Sequence, residues 1–200
     1  MEDKRLFAPA VARNREAIGA VIDRIAPEKG QALEIASGSG EHVVHMAGLR
    51  PNIIWQPTDI DDNHLASIDA HRVAEGLGNI LPAKCLDVFS DDWPVEKMDL
   101  IFNANMIHIA PWSCCEGLMA GVGRCLSTAG HLVMYGPYKR GGDHTADSNR
   151  SFDENLRSRN SLWGVRDLEA VIEQAEMNGL DLQEVVDMPA NNLCVIYRKV

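Results

Sequence analysis

The amino-acid sequence predicts an α/β fold, a doubly wound seven-stranded sheet that is mostly parallel and carries an antiparallel C-terminal strand. Three observations predict it. Apolar strand-like runs alternate with amphipathic helical ones, the pattern of a parallel sheet with helices on both faces. The first strand runs directly into a glycine turn and a helix, in "ALEIASGSGEHV", Ala32–Val43. The last two strand-like runs are separated only by "PANN", Pro189–Asn192, a link so tight that it joins antiparallel neighbours.

The elements follow in order. Residues 8–25 carry Val11, Ile18, Val21, Ile22 and Ile25 at helical spacing. Strand one is expected near 31–36, with a helix near 41–49. Strand two is "NIIWQPT" (52–58), followed by a helix from about 62 to 76. "NILPAKCLDV" (79–88) reads as strand three and "MDLIFNAN" (98–105) as strand four. A helix near 112–126 precedes strand five, "GHLVMYG" (130–136). Leu168, Val171, Ile172 and Ala175 place another helix near 165–178, and the terminal strands lie near 181–188 and 192–198. Before that last helix comes "PYKRGGDHTADSNRSFDENLRSRNSLWGV", residues 137–165. It is long for a connection in a compact domain, so it is either functional or mobile.

Two hundred residues, 46% apolar and 24% charged, suit one globular domain spanning 1–200. A formal net charge of −10 argues against a broad phosphate-binding face, so no nucleic-acid partner is expected. The five cysteines include no Cys-x-x-Cys, which indicates neither a disulfide framework nor a zinc knuckle. His42 and His45 stand one helical turn apart without a visible third ligand, so no metal is expected either. No signal core opens the chain and no stretch could span a membrane; a cytoplasmic compartment is the default.

The glycine turn narrows the ligand. A dinucleotide fingerprint needs a third glycine, but Gly38 and Gly40 are followed by Val43 at that position. A phosphate-binding Gly-Lys-Ser/Thr is absent, and no Lys or Arg stands near the turn. Instead Glu34 lies in the strand and Glu41 opens the helix. Two carboxylates repel a polyphosphate and suit a ligand with an ammonium or sulfonium charge. Asp59 ends strand two, where a carboxylate can accept both hydroxyls of a ribose; it could equally cap the next helix. Asp87 ends strand three and can take the polar edge of an adenine, with Ile60 and Val88 as apolar neighbours, or cap the turn into "SDDWP". These strand ends describe one crevice above the sheet.

From about residue 30 onward, "LEIASGSGEH", "TDID", "LDVF" and "DLIFNANMIHI" resemble class I S-adenosylmethionine (SAM) methyltransferases. The whole chain is similar to a small methyltransferase-like domain-of-unknown-function family, number 938, through "FAPAVARN", "SGSGEH", "QPTDID", "WGVRD" and "MPANN". The resemblance implies a Rossmann-like methyltransferase fold with SAM as cofactor. It implies a glycine loop made by Glu34, Ala36, Gly38 and Gly40, where Ala36 departs from the family glycine. Asn103 and Asn105 would lie beside the methionine part of SAM, although they could simply bond strand-end backbone. Arg13, in a segment able to fold over the cofactor, could meet the aminoacid carboxylate.

Methyl transfer is an in-line displacement, so a general base is needed only where the acceptor must lose its proton early. His108 at the crevice mouth and Tyr138 are the candidates to relay such a proton; the plainer role of His108 is structural. Asn105-Met106-Ile107-His108 lacks the Pro-Pro-aromatic sequence of amide and base-amine methylating enzymes. Pro111-Trp112-Ser113-Cys114 lacks a Pro-Cys nucleophile. A small-molecule acceptor is therefore expected, with a protein side chain second. The rivals are a non-catalytic SAM-fold protein acting through a partner and a nicotinamide oxidoreductase. Segment 137–165 would cover the crevice as a lid bearing Tyr138, His144, Asn149, Phe152, Arg157, Arg159 and Trp163, with Arg157 or Arg159 turned inward toward an acidic acceptor. The sequence does not specify the oligomeric state.

Overall fold

A computed structural model describes residues 3–200. In chain order the elements are α1 (Pro9–Ile25), β1 (Gly30–Ile35), α2 (Glu41–Leu49), β2 (Ile53–Asp59), α3 (Asp62–Glu75), β3 (Lys84–Cys85), β4 (Met98–Ala104), α4 (Trp112–Cys125) and β5 (Leu126–Gly136). They continue with β6 (Tyr138–Arg140), β7 (Asp143–His144), α5 (Asp147–Arg159), β8 (Arg166–Asp167), α6 (Leu168–Glu176), β9 (Leu180–Met188) and β10 (Asn192–Lys199). Seven strands form the main sheet in the order β3-β2-β1-β4-β5-β10-β9. Only β10 runs against the others, antiparallel to both β5 and β9. The expected doubly wound sheet with its antiparallel terminal strand is thus present.

Alternation of side chains along the strands feeds two cores. Ala32, Trp55, Leu100 and Phe102 meet α1, α2 and α3 through Ile18, Ile22, Val43, Met46 and Ile68. Leu33, Ile35 and Ile101 meet α4 and α6 through Leu118, Met119, Val122 and Val171. Because both faces are covered, the strands are apolar almost without interruption. Helix ends follow local chemistry. Pro9 opens α1, where its missing N–H costs nothing. Asp61 caps α3 by accepting the Asn63 and His64 amides, and Gly76 ends it in the left-handed conformation.

Three elements differ from the sequence expectation. Strand three is short: Ile80 makes one isolated bridge to Trp55, and only Lys84 and Cys85 pair with β2. Pro82 lies between them and has no N–H to give a ladder. The helix expected from 165 begins at Leu168, because Arg166 and Asp167 pair with β6 instead. Segment 137–165 is not a bare loop. β6, β7 and β8 form a small separate sheet, and α5 packs beside it. Asp153 ties this unit together. Its buried carboxylate accepts the Val165 amide at 2.7 Å and faces Lys139, His144 and Arg157 at 3.1–3.3 Å. Burial alone would raise its pKa, but the Val165 N–H and the Arg157 and Lys139 charges outweigh that and hold it low.

Candidate functional site

The sheet order reverses at β1, with β2 on one side and β4 on the other, so a crevice opens above their carboxyl ends. The glycine loop forms its floor. Ser37 N–H donates to the Thr58 carbonyl at 2.8 Å, and the Thr58 hydroxyl donates to the Glu34 carbonyl at 2.8 Å, so the loop is tied to β2. Ala36, Gly38 and Gly40 all have positive φ, at 55°, 58° and 91°. The two glycines serve different ends. A Cβ on Gly38 would meet nothing within 4 Å, so its face is open to the crevice. A Cβ on Gly40 would sit 2.8 Å from the Ile68 Cα; this glycine lets α3 pack on the loop. Of the two, Gly38 and not Gly40 leaves backbone open to the crevice.

Ala36 bears the strain of a left-handed alanine, roughly 1–2 kcal/mol. Ala36→Gly should remove it, offset in part by added unfolded-chain freedom. A net gain of about 0.5–1 kcal/mol is expected, read as a higher urea midpoint at unchanged m. A lower midpoint would mean that the methyl, which packs against the core beside α4, matters more than the strain.

Glu34 is fully enclosed, and its Oε2 has no hydrogen-bond partner. Burial pushes its carboxyl up to about 8, with the Asp59 charge adding to the shift and Ser37 and the Val43 amide opposing it. The nearest cationic candidate is His42, 4.0 Å away, and burial holds that imidazole down at about 4. Its Nε2 lies 2.9 Å from Asn14 Oδ1 on α1. Glu41, expected at the ligand, is spent elsewhere: it accepts the Ala8 amide at 2.7 Å and the Ser39 hydroxyl at 2.9 Å, anchoring the N-terminal arm.

These groups give a pH dependence. Between about 4.5 and 8 the folded chain holds a Glu34 proton that the unfolded chain has released, so stability falls as pH rises. His42 is neutral in the fold down to about 4 and His108, also buried, down to about 3, while an unfolded histidine takes a proton below 6.5; this makes stability rise with pH up to 6.5. Stability should therefore peak near pH 6.5 and decline toward pH 8. Glu34→Gln should flatten that alkaline decline in urea titrations at fixed pH values. An unchanged slope would place its origin in another group.

Asp59 is almost wholly buried. Its Oδ2 accepts the Gly38 amide at 2.9 Å, and its Oδ1 accepts the Ile60 and Asp61 amides and faces His64 Nδ1 at 3.2 Å. It does not cap α3, since Asp61 does that. Oδ1 is saturated and Oδ2 retains one lone pair, so one ribose hydroxyl fits directly; a second requires His64 to yield its place. Asp87 is exposed, with one oxygen on the Phe89 amide. β2 and β3 are neighbours, so Asp87 and Ile60 stand at adjacent strand ends, with Val88 buried beneath. Ile60 is 64% exposed and Phe89 58%, two apolar side chains without cover beside a free carboxylate oxygen. Phe89 closes "LDVF", and its place two residues after Asp87 is the signal that marks it.

Asn103 is buried and its amide donates to the Ile35 carbonyl at 2.9 Å, tying β4 to β1. Asn105 has φ 62° and lines a cavity of about 580 Å3 next to the crevice. Ala10, Arg13 and Asn14 of α1 form one wall of this cavity, with Tyr135 and Pro137 at the end of β5. Asn149 and Phe152 of α5 and the Pro189–Asn192 link close it. Arg13 is exposed and lines this wall. Tyr135 and Asn14 were missed from sequence. Tyr135 ends a strand on the same side as Asp59 and Asn105, which was signal enough; Asn14, inside a helix, gave none.

The candidate proton relays are not brought to the cavity. His108 is fully buried. Its Nδ1 accepts the Arg166 amide at 3.3 Å, and its unpaired Nε2 faces Gly136, where a Cβ would approach within 2.5 Å. Tyr138 packs edge-on to His108, and its hydroxyl is enclosed in the core; burial raises that phenol far above its ordinary value. Neither Arg157 nor Arg159 turns inward. Arg157 pairs with Asp153, and Arg159 lies 5.2 Å over the Trp163 ring, because residues two apart on a helix point in different directions. Of the lid side chains, Asn149 and Phe152 reach the cavity.

This sheet order, with its glycine loop and the acids at successive strand ends, defines a class I SAM methyltransferase-like protein. The chain belongs to the family described as protein of unknown function (DUF938), matched over residues 5–199. Among solved structures it is similar to an O-methyltransferase family protein from Burkholderia thailandensis, with a TM-score of 0.82 at 11% identity over 95% of this chain and 57% of that one. It is also similar to an O-methyltransferase family 2 protein from Planctomyces limnophilus DSM 3776 in complex with apigenin, with a TM-score of 0.79 at 17% identity over 96% and 60%. A third is CalO1, a methyltransferase in calicheamicin biosynthesis in its SAH-bound form, with a TM-score of 0.73 at 14% identity over 92% and 54%. The chain spans little more than half the length of these structures, and at such identities the likeness is one of fold. No helix among the described residues is long and apolar enough to cross a membrane.

Proposed function

We propose that this chain is a SAM-dependent methyltransferase with a small-molecule acceptor. One observation carries it: a crevice with an open Gly38 face and a buried Glu34 carboxyl oxygen without a partner lies at the same end of the sheet as a cavity, lined by Asn105, whose wall mixes apolar and polar side chains. A cofactor in the crevice and an acceptor in the cavity would then lie side by side. When bound, SAM supplies a methyl group on a sulfonium, transferable by in-line displacement. Glu34 would ionise beside its ammonium group, and Asp59 Oδ2 would hold a ribose hydroxyl. Asp87 would take the adenine edge between Ile60 and Phe89. The residues therefore fit SAM better than a pyrophosphate, for which the loop has no cation.

A second reading follows from the cavity itself. Among the described residues its wall carries no carboxylate, lysine or imidazole, which favours a SAM-fold protein that binds without catalysing. Incubation of the protein with methyl-labelled SAM and fractionated metabolite extracts separates the two. Label transferred to a small molecule is the expected result; SAM binding with no transfer to any fraction would support the second.

A further inference from the structure

We propose that the acceptor is an aromatic carboxylate, methylated on oxygen after arriving already ionised; this rests on the methyltransferase reading above. The cavity's inventory points to it. Arg13 is the only charged side chain on the wall, and it has no ion-pair partner among the described residues. In a chain of net charge −10, an unpaired guanidinium at a cavity is a place for an anion, and its fork matches a carboxylate. Asn105 stands beside it with a side-chain amide that makes no hydrogen bond among the described residues. Asn14 has its Oδ1 occupied by His42, and its N–H2 reaches the Tyr135 hydroxyl on the same wall. Phe152, Pro137, Pro189 and the Tyr135 ring provide flat apolar faces for an aromatic body.

The missing base supports the same class. An alcohol or an ordinary phenol would enter protonated, and nothing on the wall could take its proton at neutral pH. Burial raises the Tyr135 phenol; the His42 imidazole lies buried behind Asn14 and is held neutral, and His108 is sealed behind Gly136. A carboxylic acid is ionised at neutral pH without help. Its oxygen can form the new C–O bond while the methyl–sulfur bond breaks and that electron pair stays on sulfur. The products are a methyl ester and S-adenosylhomocysteine, and no proton moves.

Calorimetry in saturating S-adenosylhomocysteine tests this with 2-naphthoate, its amide 2-naphthamide and its cationic counterpart 2-naphthylmethylamine. The carboxylate should bind at least ~10-fold tighter than the amide, as charge-assisted pairing to a guanidinium requires, and the amine should not bind. Arg13→Gln should bring the carboxylate down to the level of the amide and leave S-adenosylhomocysteine affinity within about twofold. With SAM, methyl 2-naphthoate should form at a saturated rate that is flat from about pH 6 to 9, since no proton is transferred. Equal binding of the amide, tighter binding of the amine or of an ionised naphthol, or an acid that binds and is never methylated would overturn the proposal. So would Arg13→Gln weakening the cofactor product and not the acid, which would assign Arg13 to the cofactor. S-adenosylhomocysteine binding with no naphthoate binding would overturn the acceptor class alone. Failure of S-adenosylhomocysteine to bind would remove the methyltransferase reading as well.

Discussion

Gly40→Val is expected to destabilise the fold by roughly 2–5 kcal/mol, from a branched residue held at positive φ and an overpacked contact. The φ of 91° suits glycine, and the first added carbon already falls 2.8 Å from the Ile68 backbone. α3 would have to move off the loop, and the Ser67 hydroxyl would lose the Ser39 carbonyl it bonds at 2.7 Å. Gly38→Ala is the contrasting variant. It has strain of about 1–2 kcal/mol but no clash, so the fold should survive while the methyl occupies the crevice. Urea unfolding of both variants, with SAM calorimetry on Gly38→Ala, separates the roles. Native stability in Gly40→Val would show that α3 does not depend on that close approach.

Asp59→Asn should lower SAM affinity by about 10- to 100-fold, the loss of one charge-assisted hydrogen bond of roughly 1.5–3 kcal/mol. The amide keeps the shape and can still accept the Ile60 and Asp61 N–H groups through one oxygen. It cannot accept the Gly38 N–H on the other side, so the glycine loop also loses one of its ties to β2, while those through Ser37 and Thr58 remain. Asp59→Ala would remove every one of these bonds and confuse loop collapse with ribose loss. Unchanged affinity in folded Asp59→Asn would locate the ribose elsewhere.

Much of this architecture was legible because burial on both faces writes long apolar runs, and because glycines and acids mark strand ends. β1, α2, β2, β4 and β10 follow that logic closely. β3 did not, since Pro82 breaks a ladder that the apolar pattern of 79–88 suggested. Segment 137–165 reads as a lid by length and by its polar aromatics; Asp153 gathers Lys139, His144 and Arg157 and makes it a folded unit. That cluster joins α5 to two short strands that no local pattern announces. Glu34 lies in β1 and Asp59 ends β2 as expected, whereas Asp87 lies two residues beyond β3, and the partners of these acids were not legible. Whether Glu41 or Glu34 faces a ligand depends on the N-terminal arm, which reaches Glu41 from far away in sequence. His108 and Tyr138 lie near the crevice in chain order but are turned into the core by their strand and helix contacts.

The central claim is that this crevice holds SAM with its ammonium against Glu34. Calorimetry at pH 7 with SAM, S-adenosylhomocysteine and NAD, each in two buffers of different ionisation enthalpy, tests it most directly. With its carboxyl raised to about 8, Glu34 is protonated in the free protein at that pH and should ionise beside an ammonium group. SAM and S-adenosylhomocysteine should bind with release of close to one proton, absent in Glu34→Gln, and NAD should not bind. SAM binding no tighter than NAD, or SAM binding with no proton released, would contradict the account.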